Sequence, residues 1–69
     1  MGTPLLWSDT WELAFRLAQK HPDVAPLTLR FTDLHRMVTE LEGFADDPLA
    51  SNERLLEALQ MAWVDELED

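Results

Sequence analysis

The apolar residues of this chain fall into three runs at helical spacing, separated by stretches that break it. In the first run Trp11, Ala14, Leu17 and Ala18 recur three or four residues apart, with Leu13 and Phe15 widening the stripe. That period predicts an α-helix with one buried face. Asp9-x-x-Glu12 has the spacing of a capping box, in which Asp9 accepts from the backbone N–H of residue 12 and Glu12 reaches back. Lys20 and His21 put positive charge in the last turn, and Pro22 stops the helix near His21. The second run is Leu34, Met37, Val38 and Leu41. It predicts a helix opened by Thr32 as N-cap, with Asp33 in its first turn and an outward Arg36–Glu40 pair. Gly43 closes that helix in the left-handed conformation, and Phe44 supplies the hydrophobic contact that follows such a stop. The third run, Leu55, Leu56, Leu59, Ala62, Trp63 and Leu67, covers more than three turns. Ser51 is its expected cap, and Asp47 followed by Pro48 is a rival start. Trp63 should be the largest core side chain, while Met61 and Val64 fall off the stripe.

The stretches between these runs have no such period. Residues 1–6 contain Thr3 and Pro4 and read as a frayed terminus, so Trp7 is the first expected core residue. In residues 22–31, PDVAPLTLRF, two prolines exclude a long helix. Pro26 can open a single turn, and the alternation of Leu27, Leu29 and Phe31 with Thr28 and Arg30 suggests a brief extended piece clipped to the core. The expected organisation is a flexible end at 1–6, one helical domain at 7–67 and an acidic end at 68–69. The fold class is all-α, with three to four helices and a short extended connector.

Size and charge narrow the function. At 69 residues the chain makes one domain, and without cysteine it has no disulfide or thiolate metal site. No apolar run approaches the ~20 residues that cross a bilayer, and MGTPLLW does not look like a signal peptide. Fourteen acids against five bases give a formal charge of −9. Such a charge repels nucleic acid and anionic membranes and favours a basic protein surface or cations. At this size and charge a monomer is the default. Acids gather in the turn (Asp46, Asp47), one turn apart on the third helix (Glu53, Glu57), and at its end (Asp65, Glu66, Glu68, Asp69). The last group sits at the negative pole of a helix, where it does not help folding and so hints at use elsewhere. Exposed carboxylate clusters hold Mg²⁺, Ca²⁺, Mn²⁺ or ferrous iron weakly and unselectively.

Catalysis finds little support. Ser8, Ser51 and Thr32 are better explained as caps than as nucleophiles. His35 and Asp33, two residues apart, point to different sides of a helix. His21 and His35 lie on different helices without the Glu-x-x-His spacing of a di-iron bundle. Three short helices could imitate a helix-turn-helix, but Asn52, Arg54 and Gln60 are outnumbered by acids on the helix that would read the bases.

Several segments in order nevertheless form a recognisable pattern. They are Trp7-x-Asp9, Arg30-Phe31-Thr32-Asp33-Leu34-His35, Leu41-Glu42-x-Phe44-x-Asp46-Asp47-Pro48, Ser51-Asn52-Glu53, Leu56-Glu57-Ala58 and Trp63-x-Asp65-Glu66. From Trp7 to Glu66 the chain resembles the IscX family, small acidic proteins associated with bacterial iron–sulfur cluster assembly. The resemblance implies a modified winged-helix-like fold and a cytoplasmic, non-enzymatic adaptor. Such an adaptor docks on the cysteine desulfurase through an acidic face, where it overlaps the bacterial frataxin homologue, and it binds ferrous iron weakly. Carried onto this chain, the partner-binding residues are Asp9, Glu12, Asp46, Asp47, Glu53, Glu57, Asp65 and Glu66. Ferrous iron would fall to Glu57, Asp65, Glu66 and Asp69, with no tightly bound cofactor. The first helix departs from the pattern: Phe15, Arg16, Gln19 and Lys20 stand where further acids are expected, and Ala25 replaces an acid in the connector. The alternative reading is a general acidic interaction module with no role for iron.

Overall fold

Three α-helices carry the structure: α1 (Thr10–Lys20), α2 (Phe31–Thr39) and α3 (Glu53–Glu68), with single 3₁₀ turns at Pro26–Thr28 and Pro48–Ala50. It is a computed structural model, and it describes residues 4–68. The most extensive packing is between α1 and α3, with α2 laid against both. The all-α class is as expected. Among the described residues the only β-type pairing is an isolated parallel bridge between Leu5 and Phe44.

The core assembles from the inward faces of the helices. Leu13, Leu17, Leu34, Val38 and Trp63 are all fully buried, and Trp63 is the largest of them. Periodicity misplaced the edges of two stripes. Trp11 is 62% exposed and Leu67 46% exposed. On α1 the buried arc is Leu13, Ala14 and Leu17. A helix turns about 100° per residue, so Trp11 lies more than a quarter-turn round from the middle of that arc.

The connector also differs from expectation. Pro26 does open a turn, at Pro26–Thr28, and is itself buried. The turn takes Leu27 out of the supposed alternation, leaving it 64% exposed, while Leu29 and Phe31 pack on the core. Gln60 of α3 fastens this turn by donating to the Pro26 carbonyl at 2.8 Å. The extended backbone shrinks to Leu29 and Arg30.

Helix ends show where local signals were outcompeted. The expected capping box is absent: Asp9 accepts from Leu6 N–H at 2.9 Å, backwards along the chain, and Glu12 pairs with Arg16 at 3.0 Å. Helix α2 begins at Phe31, with Arg30 as its extended N-cap, so Thr32 lies inside the first turn. Arg36 pairs back to Asp33 at 3.8 Å rather than forward to Glu40. Asn52, not Ser51, caps α3, accepting from Leu55 N–H at 2.9 Å. Gly43 was expected to stop α2, but the helix ends at Thr39 with Glu40 as its C-cap. Gly43 does take the left-handed conformation, at φ +88°, in a separate turn where Phe44 N–H donates to the Leu41 carbonyl at 3.1 Å.

The amino-terminal segment is pinned where fraying was expected. Leu5 N–H donates to the Gly43 carbonyl at 2.9 Å, and Ala45 N–H donates to the Leu5 carbonyl at 3.0 Å. Leu5 and Trp7 are both buried. Residues 1–3 of the expected flexible end lie outside the described residues, as does Asp69 of the acidic end. The turn at Gly43 explains the pinning: by redirecting the chain after α2 it leaves the Gly43 carbonyl and the Ala45 N–H for a passing segment to pair.

Candidate functional site

Two acidic groups result, and they differ in kind. The first is the turn after Gly43, which is tied to Trp7. The Trp7 backbone N–H donates to Asp46 Oδ2 at 3.0 Å, and the indole Nε1–H donates to the Asp47 carbonyl at 2.8 Å. The other carboxylate oxygen of Asp46 accepts from Asp47 N–H at 2.8 Å. Asp47 Oδ1 caps the 3₁₀ turn by accepting from Leu49 N–H at 2.9 Å. Around them the His35 ring stacks on Trp7 with centroids 5.4 Å apart, and Phe44 meets the indole edge-on at 5.2 Å. His35 Nε2 also hydrogen-bonds the Pro48 carbonyl. Asp46 and Asp47 therefore hold the fold together, and Asp46 is half-buried with both oxygens engaged.

The second group lies along α3. Glu53, Glu57, Met61 and Asp65 follow each other four residues apart, and all four are exposed. At about 100° per residue this spacing makes a slowly drifting row on the outer face, opposite the buried Leu56, Leu59, Ala62 and Trp63. Glu53, Arg54, Glu57, Ala58 and Met61 line one shallow groove. Among the described residues the carboxylates of Glu53, Glu57 and Asp65 take part in no ion pair, whereas Glu12 and Asp33 do. Glu68 is exposed as well, but Glu66 is half-buried on the flank of α3 nearer the core. The structure thus brings Glu53, Glu57 and Asp65 onto one face and sets Glu66 aside.

On α1, Asp9 is half-buried and tied to Leu6 N–H. Glu12 is exposed, paired to Arg16, and shares a groove with Pro4, Leu5, Asp9 and Arg16. These two acids belong to a different part of the surface from the α3 row. Of the residues expected to hold iron, Glu57 and Asp65 are eight positions, or about 12 Å, apart along α3. Asp69 lies outside the described residues. Among the described residues no three His, Asp or Glu side chains gather as metal ligands would.

Met61 lies off the buried stripe as the periodicity indicated; at 50% exposed it places an apolar patch within the acidic row, a placement the sequence reading did not draw. The Trp7–His35–Phe44 stack joins residues far apart in the chain and left no local signal. No helix among the described residues is long and apolar enough to cross a membrane.

The chain is thus a small all-α domain whose third helix carries, on its outer face, a row of carboxylates that form no ion pair among the described residues. The profile of the iron–sulphur cluster assembly family matches residues 5–68, and the chain belongs to that family, the IscX family. It is also similar to an uncharacterized protein of Pseudomonas aeruginosa. The two are 47% identical over 62 residues, which cover 90% of this chain and 94% of the relative.

Proposed function

We propose that the chain is a non-enzymatic adaptor of iron–sulfur cluster assembly that docks on the cysteine desulfurase through the outer face of α3. The family supports the pathway, and the chemistry of α3 supports a basic, partly apolar counterpart. The observation that carries the reading is the row Glu53, Glu57, Asp65 with exposed Met61 among them. Carboxylates without intramolecular cations keep their charge available to an incoming Lys or Arg, and the methionine adds an adaptable apolar contact. Asp46 and Asp47 serve this face indirectly, by fixing the turn that leads into α3.

Ferrous iron enters the same proposal as an exchangeable counter-ion of the row, since among the described residues no three His, Asp or Glu side chains gather to chelate it. Held that loosely, it would compete with the basic partner and weaken docking. The test is a titration of the desulfurase by calorimetry at two salt concentrations, with and without ferrous iron. Affinity should fall as salt rises, because exposed charges are screened beyond ~8–10 Å. It should fall at least tenfold in a Glu53→Lys/Glu57→Lys variant that stays folded, a loss of about 1.4 kcal/mol or more. Unchanged binding by that variant would remove the α3 face from the reading. Equal binding with and without iron would remove the metal.

A further inference from the structure

The 3₁₀ turn that leads into α3 presents apolar side chains to solvent. Pro48, Leu49 and Ala50 are all exposed, and Leu49, at 86%, is the most open of the large apolar residues described. A loop that served only as a connection could be polar and loose. This one is held from several directions. Asp47 Oδ1 accepts from Leu49 N–H at 2.9 Å, and the Asp47 carbonyl accepts from Ala50 N–H at 3.0 Å. The buried Trp7 donates its indole N–H to that same carbonyl at 2.8 Å, and His35 of α2 hydrogen-bonds the Pro48 carbonyl. Pro48 adds a fixed φ. The backbone under Leu49 is thus set before any partner arrives, while its side chain stands almost wholly in water.

We infer that Leu49 is the apolar anchor of the docking face and enters a pocket on the partner, apolar at its floor and basic at its rim. The inference rests on the reading of α3 as the face that meets the cysteine desulfurase. Charge defines the rim: the tip is followed by Glu53 and Glu57, which form no ion pair among the described residues. A second copy of the chain is a poor occupant, because two molecules of formal charge −9 repel. Continuity joins the tip to the row. Four residues of chain span at most ~14 Å, so Leu49 lies within that distance of Glu53. A standard interface covers about 800 Å² on each partner, a patch about 30 Å across, which is wide enough to take in both. Burying an exposed leucine is favourable, and a turn already ordered within the fold loses little further freedom on binding. Asp47 is then a positioning residue, whose carboxylate fixes the turn that carries Leu49.

The test is calorimetry of the full chain against the desulfurase at two salt concentrations. Leu49→Ala should bind about tenfold more weakly, since most of a buried leucine side chain is lost. Its salt dependence should match wild type, and its binding heat capacity should be less negative, the marks of a lost apolar contact. Its urea midpoint should not move, because the side chain is exposed in the free chain. Asp47→Ala should also weaken binding, but not further in a chain that already carries Leu49→Ala, as a residue acting through Leu49 requires. Wild-type affinity for Leu49→Ala would overturn the inference, whatever Glu53→Lys/Glu57→Lys does. Weak binding by Leu49→Ala beside full binding by Glu53→Lys/Glu57→Lys would keep the anchor and remove the α3 row. A wild-type chain that does not bind the desulfurase would overturn both.

Discussion

Replacing Asp46 by alanine separates the two jobs that acidic residues do in this protein. In the structure its Oδ2 accepts from the part-buried Trp7 N–H at 3.0 Å, and its Oδ1 accepts from Asp47 N–H at 2.8 Å. A hydrogen bond to a charged group contributes about 1.5–3 kcal/mol, and a buried donor left unpaired costs about 1–3 kcal/mol. The Asp47 N–H is exposed and water will replace its partner, so most of the loss falls on Trp7. We expect Asp46→Ala to lose about 2–3 kcal/mol. That is a large share of the ~3–5 kcal/mol that a core this small provides. With a urea dependence of about 1 kcal/mol per molar, the low end for a small domain, the unfolding midpoint should fall by about 2–3 M. Tryptophan emission is a suitable probe, since Trp7 and Trp63 are both buried. Glu57→Ala is the matched control. Its side chain is exposed and takes part in no ion pair among the described residues, so its midpoint should move by less than about 0.5 kcal/mol equivalent. If Asp46→Ala and Glu57→Ala unfold at the same urea concentration, Asp46 is not the fastener described above.

Gly43→Ala should destabilise by about 1 kcal/mol purely through backbone strain at φ +88°, because a Cβ there meets nothing within 4 Å. Thermal melting of the variant checks it, and an unchanged midpoint would mean the turn relaxes. Asn52→Ala should cost about 0.5–2 kcal/mol by removing the α3 cap, while Ser51→Ala should stay within about 0.5 kcal/mol; equal costs would return the cap to Ser51. Trp63→Ala should cost roughly 3–5 kcal/mol, enough to leave the chain largely unfolded at room temperature by circular dichroism. A folded Trp63→Ala spectrum would show that the core does not depend on that indole.

The sequence by itself determined the three helices, their approximate extents and the identity of most of the core. Those properties are local: a 3.6-residue period, a proline after His21 and a glycine able to take positive φ act over a few neighbouring residues. Membership of an iron–sulphur cluster assembly family was legible too, because FTDLH, FADDP and SNE keep their order along the chain. Only the tertiary structure decided which acids are available. Asp46 looks no different from Glu57 in a list of charges, yet its carboxylate is engaged by Trp7, 39 positions away. Asp9 forms a cap on paper, but the chain reverses at Leu6 and presents a nearer donor. Leu5 appears frayed until Gly43 turns the backbone toward it. For Asp9 the competing donor is only three residues back, in a turn, but for Asp46 and Leu5 the partner comes from a distant part of the chain. A hydrogen bond needs its partner within about 3 Å, and linear spacing cannot place groups that closely when they are far apart in the chain.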